Sequence, residues 1–498
     1  MAAIITEKFR QHNATQFFES FTEASASTYY LFVGKATAYT SGTTGGSDSS
    51  PPTPSDSPSD TEFYAWDSML AAKNVTSSDV TFSIPRRNWV NGTTYDMYDD
   101  NISSSNTATS GASNLYDSTF YFMTSDYRVY KVLDNNAGTA YSGAEPTSES
   151  TSPFALGGYV LKYMYQITTS EASKYLTSDF IPVSDDSTVS AAATDGKIES
   201  LKVTAGTGYT NGTYYAAVYG DGTSAGTSSG AIVRITVSGG TIQSFGLTAG
   251  TDTTIHAGGA GYTFGTVNLA SGYTFSDSSL SSASAIGGSG GSIEVVISPK
   301  NGHGNSAVTE LGGHFVMTAT TLTQAENDDI TTQNDFRQVG LVVDPTNYGT
   351  STVASASTRR QTFVVKASSV SGTFEVDEKI TQATTGAVGK VVEYDSTLSL
   401  LYFQQERFGD FGTNSTTGDH SVFEGTNVIT GATSSATFTP SSDSETITLA
   451  NNNTIATTSG YANPELQPDS GNIVYLENRK PIQRDSDQTE DIKLIIEF

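Results

Sequence analysis

Short runs of β-branched and aromatic residues, each cut off by Ser, Thr, Gly or Asn, recur from one end of this 498-residue chain to the other. Thr28–Val33, Asp117–Met123, Tyr127–Val132, Tyr159–Tyr165, Ile293–Ile297 and Gln361–Val365 are the clearest. Such runs are too short for substantial helices and carry side chains that pack well on a pleated surface. Tyr127–Val132 comes closest to the alternation of a half-buried strand. Only 36% of residues are hydrophobic, but 26 Tyr and 24 Phe supply large surfaces for burial. With 47 Gly and 14 Pro, collagen-like and Pro-rich classes are excluded. The predicted class is mainly β.

Helix signals are few. Phe9–Phe21 and Trp66–Lys73 are candidates, and Thr168–Leu176 is the best of them, because Thr168 and Glu171 have capping-box spacing and Pro182 follows. Ser41–Thr61 has almost no apolar residue and is predicted to be an exposed loop, as is Asn101–Asn114, since neither can repay its ordering entropy by burial.

Two internal duplications stand out. Gly196-Lys-Ile-Glu-Ser-Leu-Lys-Val-Thr-Ala-Gly206 aligns without a gap with Gly240-Thr-Ile-Gln-Ser-Phe-Gly-Leu-Thr-Ala-Gly250, and each copy then reaches a Gly-Tyr pair, Gly208-Tyr209 and Gly261-Tyr262. Phe374–Ala387 aligns in the same way with Phe423–Ala436. Two copies are too few for a solenoid, so each pair predicts one small β module made by duplication. A chain of this length predicts roughly two to four domains. The Gly/Ser/Thr-rich blocks interrupt a more aromatic sequence, which divides the chain into a core of 1–186, 293–365 and 446–498 with modules inserted at 187–292 and 366–445. Insertion at surface loops is cheap, because loop closure costs rise slowly with length.

Lys+Arg number 25 against 52 Asp+Glu, a net charge of −27. That field repels phosphate backbones and anionic lipid, so neither nucleic acid nor a membrane is an expected partner. The absence of cysteine excludes disulfides, thiolate metal sites and cysteine nucleophiles. The first ten residues lack the pattern of a signal peptide and no apolar run approaches a membrane span, which predicts a soluble chain made in a cytoplasm.

No catalytic constellation emerges. Of His12, His256, His303, His314 and His420, only the stretch Lys300–His314, with Glu310 between its histidines, resembles a ligand set. Its spacing fits no metal pattern, and the flanking glycines favour a structured loop. Asp99-Asp100, Asp185-Asp186 and Asp328-Asp329 read as solvated turn acids. Arg86-Arg87, Arg359-Arg360, Arg479 and Arg484 read as ion-pair partners, and Trp66 and Trp89 as core before glycan platform. The expectation is a non-enzyme with no cofactor, metal or catalytic residue.

Three stretches carry a resemblance. They are Glu7–Phe17 with Thr28–Gly34, Pro299–Gly304 with Glu310–Gly313, and Val474–Ile482 with Asp487–Glu490 and the closing Ile-Ile-Glu-Phe498. Together they resemble the baseplate wedge subunit numbered eight of T-even-type contractile phages, in the longer form of marine cyanophages. The resemblance implies a β-sandwich core; the few short helices and the two inserted small β modules are read from the residues, and the duplicated modules fall outside the resemblance, a departure from the compact family pattern. The resemblance also implies a homodimer, contacts to other baseplate wedge subunits and to fibre-attachment proteins, a place in the virion tail baseplate, and a scaffold role that couples baseplate rearrangement to sheath contraction. A dimer interface would be an aromatic, weakly charged patch, for which Tyr116, Tyr121, Tyr127, Tyr130, Tyr163 and Tyr165 are the candidates. The alternative is a glycan-binding adhesin or tail-fibre component.

Overall fold

The computed structural model describes residues 5–39, 45–57, 60–270, 275, 277–322, 334–405, 420–449, 453–483 and 489–498. Strands hold 40% of the described residues and helices 10%, arranged in several sheets that include a small barrel. The chain divides into two compact units. The first is Met1–Gln16, Thr81–Met317 and Ile495–Phe498; the second is Phe17–Val80 and Thr318–Leu494. The first duplication lies in the first unit and the second duplication in the second.

In the first unit the strand Arg128–Asp134 pairs antiparallel with Tyr121–Met123 on one side and Tyr159–Gln166 on the other, and Phe154–Leu156 follows at the edge. The half-buried alternation expected for Tyr127–Val132 is not found, because Val129–Asp134 is buried throughout. Both faces of this sheet are covered. Val129, Tyr121 and Tyr165 pack into one apolar cluster, and Tyr130, Phe122 and Tyr163 into another.

The first duplication builds an interlocked pair. Ile198 and Leu201 of one copy and Ile242 and Phe245 of the other are buried in a single cluster. The backbone bonds are reciprocal. Tyr209 N–H donates to Gly240 O (3.0 Å) and Tyr262 N–H to Gly196 O (3.2 Å), while Ile198 N–H reaches Gly258 O (2.9 Å) and Ile242 N–H reaches Ala205 O (3.0 Å). Each copy's leading Gly-x-Ile is thus held by the other copy's tyrosine segment. The copies are not equally regular: Ser200–Thr204 is a full strand, whereas only Thr241–Ile242 is extended in the second. Gly246 replaces Lys202 there, and the chain turns back through a bond from Gly246 N–H to Thr253 O.

In the second unit an antiparallel sheet runs in the order Thr358–Arg360, Met69–Val75, Tyr29–Gly34, Phe336–Val343, Asn472–Ile482. Here the expected helix Trp66–Lys73 is corrected. The helix is Asp60–Ser68, and Met69–Val75 is a strand whose residues Met69–Ala72 are buried between paired neighbours. Lateral pairing outweighs the helical preference of Met-Leu-Ala-Ala. The other helices lie close to expectation: Glu7–Glu19 begins two residues early, and Thr169–Tyr175 carries the predicted box, with Thr168 Oγ1 accepting from Glu171 N–H and Glu171 Oε2 from Thr168 N–H.

The second duplication forms the barrel. Its strands run Leu400–Gln404, Ala387–Asp395, Lys379–Gln382, Ile429–Gly431, Thr437–Pro440, Phe363–Ser371, and the last pairs with the first to close the ring. The copies meet about a local twofold axis: Ile380 faces Gly431, Thr381 faces Thr430, and Gln382 faces Ile429. Phe374, Ile380, Ala387 and their counterparts Phe423, Ile429, Ala436 are buried together.

The loops are tethered by polar bonds more than by burial. Of Ser41–Thr61, residues 45–57 form neither strand nor helix, residues 41–44 and 58–59 lie outside the described residues, and Thr61 already belongs to the helix Asp60–Ser68. The Asp48 carboxylate accepts two bonds, both 3.0 Å, from the Arg337 guanidinium. In the first unit, buried Asp96 ties down the 101–114 loop, accepting from the N–H and hydroxyl of Ser110 (2.8 and 2.6 Å) and of Thr119 (2.7 and 3.0 Å).

Candidate functional site

Lys131 and Lys162 stand directly opposite each other on paired strands, and both are buried. Like charges at such a position repel, so each ammonium needs its own compensation. Lys162 donates to Thr151 O. Lys131, whose side chain is 0% exposed, is met by the loop that follows strand Ser292–Val296. That loop turns through Gly302 and Gly304, both with positive φ, and enters a short helix, Ala307–Glu310, capped by Ser306. It delivers two groups to the amine: Glu310 Oε2 at 2.8 Å and His303 Nδ1 at 2.9 Å. The Tyr98 ring lies beneath, its centroid 3.8 Å from Nζ. Glu310 Oε1 accepts from the backbone N–H groups of Gly304 (2.7 Å) and Ser306 (3.3 Å).

Burial pulls the Lys131 ammonium below its usual range, against the opposing pull of Glu310. Burial, followed by the charges of Lys131, Lys162 and Lys197, holds His303 well below the ordinary imidazole range, so its ring is neutral. Facing an ammonium, Nδ1 must accept, which puts the ring proton on Nε2; that atom is buried and has no partner.

The two histidines of Lys300–His314 therefore serve different places. His314 lies near Glu7 instead, with Nδ1 3.5 Å from Oε2. Among the described residues no group of three or more His, Asp or Glu is gathered as a metal ion requires.

The six tyrosines proposed for an interface are placed as follows. Tyr121, Tyr130, Tyr163 and Tyr165 are buried in the first unit, and the hydroxyls of Tyr121, Tyr130 and Tyr165 donate to the carbonyls of Pro85, Ser148 and Pro182. Tyr116 and Tyr127 are half-buried, and the Tyr116 hydroxyl donates to Thr309 O. Trp66 is buried, and Trp89 is half-buried with its ring edge-on to Tyr141. Arg87 lies over the Tyr121 ring and donates to Tyr116 O; Arg360 is buried among backbone carbonyls. Arg479 pairs with Glu477, while Arg484, Asp328-Asp329 and Asp487 lie outside the described residues.

The acidic pairs are not all solvated. Asp186 caps the helix Ser187–Ala192. Asp99 is buried and paired with Lys202, at a cavity of about 230 Å³ that is also lined by Asp134 and Phe245. Burial, reinforced by the charge of Asp252 and opposed by the Asn136 N–H, pushes the Asp134 carboxyl up to about 6 from an ordinary 3.8. A raised carboxyl favours folding only while protonated, so its stability is fully present below about pH 4 and is lost as pH rises through about 6. Asp134→Asn is therefore expected to stabilise the chain by about 1–3 kcal/mol at pH 8 and by almost nothing at pH 4. Denaturant melts at the two pH values check this; an equal effect at both would sink it.

Sequence reasoning passed over Lys131 and Lys162. The available signal was a lysine inside each of two otherwise aromatic and β-branched runs, where a strand buried on both faces leaves it no route to solvent.

The fold and this site define a mainly β protein whose charged groups cluster as internal struts. A family model described as "Bacteriophage T4, Gp8" matches residues 3–144 and 444–498. The chain is similar to that family over those two stretches, which leave out 145–443 and with it the Pro299–Gly313 stretch, the whole of 187–292 and nearly all of 366–445. A search among curated proteins finds no match. Among the described residues no helix is long and apolar enough to cross a membrane.

Proposed function

We propose that this chain is a structural wedge component of a contractile phage-tail baseplate. In this reading it links neighbouring wedge subunits, couples baseplate rearrangement to sheath contraction, and catalyses no reaction on a substrate. The observation that carries the reading is the family match at both ends of the chain, which supports a T4-like baseplate wedge subunit located in the virion tail. The match also favours partners among other baseplate components. A homodimer within each wedge, fibre-attachment contacts and the long cyanophage-type form belong to the same proposal. The mainly β fold, with loops tied down by buried polar bonds, suits a part that must transmit force without yielding.

Cross-linking mass spectrometry on intact virions tests it. Links between two copies of this chain and from it to other wedge subunits are the expected result. Links confined to distal fibre proteins would replace the scaffold role with host contact.

A further inference from the structure

We infer that Lys131 and Glu310 are the two ends of an intramolecular amide cross-link that the first unit forms on itself. Four observations assemble the reaction. The amine sits 2.8 Å from Glu310 Oε2, already in contact with the carboxyl it would attack. Both side chains are sealed from solvent, at 0% and 2% exposure, so no bulk water competes with the amine. Two backbone N–H groups, of Gly304 and Ser306, point at Glu310 Oε1, where negative charge develops when the carbonyl carbon becomes tetrahedral. A neutral imidazole, His303 Nδ1, accepts a hydrogen bond from the amine at 2.9 Å.

The step balances without any co-reactant. The pair starts as ammonium and carboxylate. One proton passes from Lys131 Nζ to Glu310, giving a neutral amine and a carboxylic acid. The nitrogen lone pair forms the N–C bond at the Glu310 carboxyl carbon, and Oε1 carries the negative charge between its two N–H donors. A second proton leaves the nitrogen for His303 Nδ1 and is passed to Oε2. The C–Oε2 bond then breaks, and Oε2 departs as water with both protons from the original ammonium. The product is a neutral secondary amide, and no atom is oxidised or reduced.

The geometry also explains why the pair is worth keeping where it is. A buried ion pair costs desolvation that its attraction barely repays, whereas an amide carries no charge into the interior. The bond would join the inner strand Arg128–Asp134 to the short helix Ala307–Glu310, closing the stretch from 131 to 310, with the first duplication inside it, into a covalent ring.

The test is the intact mass of the full-length protein, followed by peptide mapping. The expected mass is lower than the encoded one by one water, with a branched peptide joining the Lys131 and Glu310 fragments. Lys131→Arg keeps a cation beside the carboxylate but cannot form this amide, so it is expected to show the encoded mass. An intact mass equal to the encoded one, with both fragments recovered free, would overturn the inference. So would a water loss that persists in Lys131→Arg, since that loss would come from elsewhere, such as succinimide formation at Asp221-Gly222.

Discussion

Tyr262→Ala is expected to lower the stability of the first unit by about 3–5 kcal/mol, in the range for emptying a large buried aromatic site. Tyr262 is 1% exposed and closes the interlock between the duplicated copies. Glycines line part of its ring. A Cβ built on Gly222 would lie 2.3 Å from the ring, and one on Gly259 2.7 Å from it. On that side no side chain is present to collapse into the vacated space. The hydroxyl accepts from Ala231 N–H at 2.9 Å, so Tyr262→Phe strands that buried donor and is expected to cost about 1–2 kcal/mol. Gly222→Val attacks the same packing from the other side. Denaturant unfolding, with hydrogen exchange to identify which unit opens, measures all three. Tyr262→Ala within about 0.5 kcal/mol of the parent would show that the interlock contributes little.

Asp96→Ala is expected to cost a similar amount, on the order of 3–5 kcal/mol at neutral pH, because one carboxylate satisfies four donors on two residues. Burial alone would raise its pKa, but the hydroxyls and N–H groups of Ser110 and Thr119 outweigh burial and hold it below 3.8. With the folded value depressed, the contribution is complete above the unfolded pKa and is lost as pH falls through the folded one. The gap between parent and variant should thus be full at pH 7 and narrower near pH 3. Hydrogen exchange should rise across 101–118 before the rest of the unit opens. A gap that does not change with pH would mean that the loss comes from packing and not from the ionised carboxylate.

The mainly β class was legible because β-branched and aromatic runs bounded by Ser, Thr and Gly have few other solutions. Thr168–Leu176 was legible because a capping box is a local device, complete within four residues. Met69–Val75 was not, since its strand character comes from neighbours at Tyr29–Gly34 and Thr358–Arg360. The duplications could be aligned by eye, but which strands of one copy clasp the other depends on contacts far apart in sequence. The first duplication also shares its apolar cluster with Leu133 and Val160, and Ser200 Oγ donates to Leu133 O at 2.6 Å. The Lys131 site was hidden for a related reason. Its partners lie at 303 and 310, and a lysine in a strand reads as solvent-facing until both faces are known to be covered.

The barrel's twofold arrangement has a consequence for how such a ring can arise. One copy supplies three strands, Phe363–Ser371, Lys379–Gln382 and Ala387–Asp395, and the other supplies Leu400–Gln404, Ile429–Gly431 and Thr437–Pro440. Within the ring Phe363–Ser371 pairs with Leu400–Gln404 and Thr437–Pro440, both supplied by the other copy, so one copy alone leaves unpaired edges, which invite another strand. A chain bearing a single copy would be complete only as a pair of chains. Joining the copies in tandem turns that encounter into an intramolecular one, at a high effective concentration. It also frees the halves to diverge. Glu378 and Gln382 on one side, matched by Asn427 and Gly431 on the other, already have. Glu378 reaches across to the N–H groups of Thr433 and Ser434, and Gln382 to the Asn427 carbonyl, so each bond joins unlike partners and is made only once. Two identical chains would be obliged to make every such bond twice or not at all.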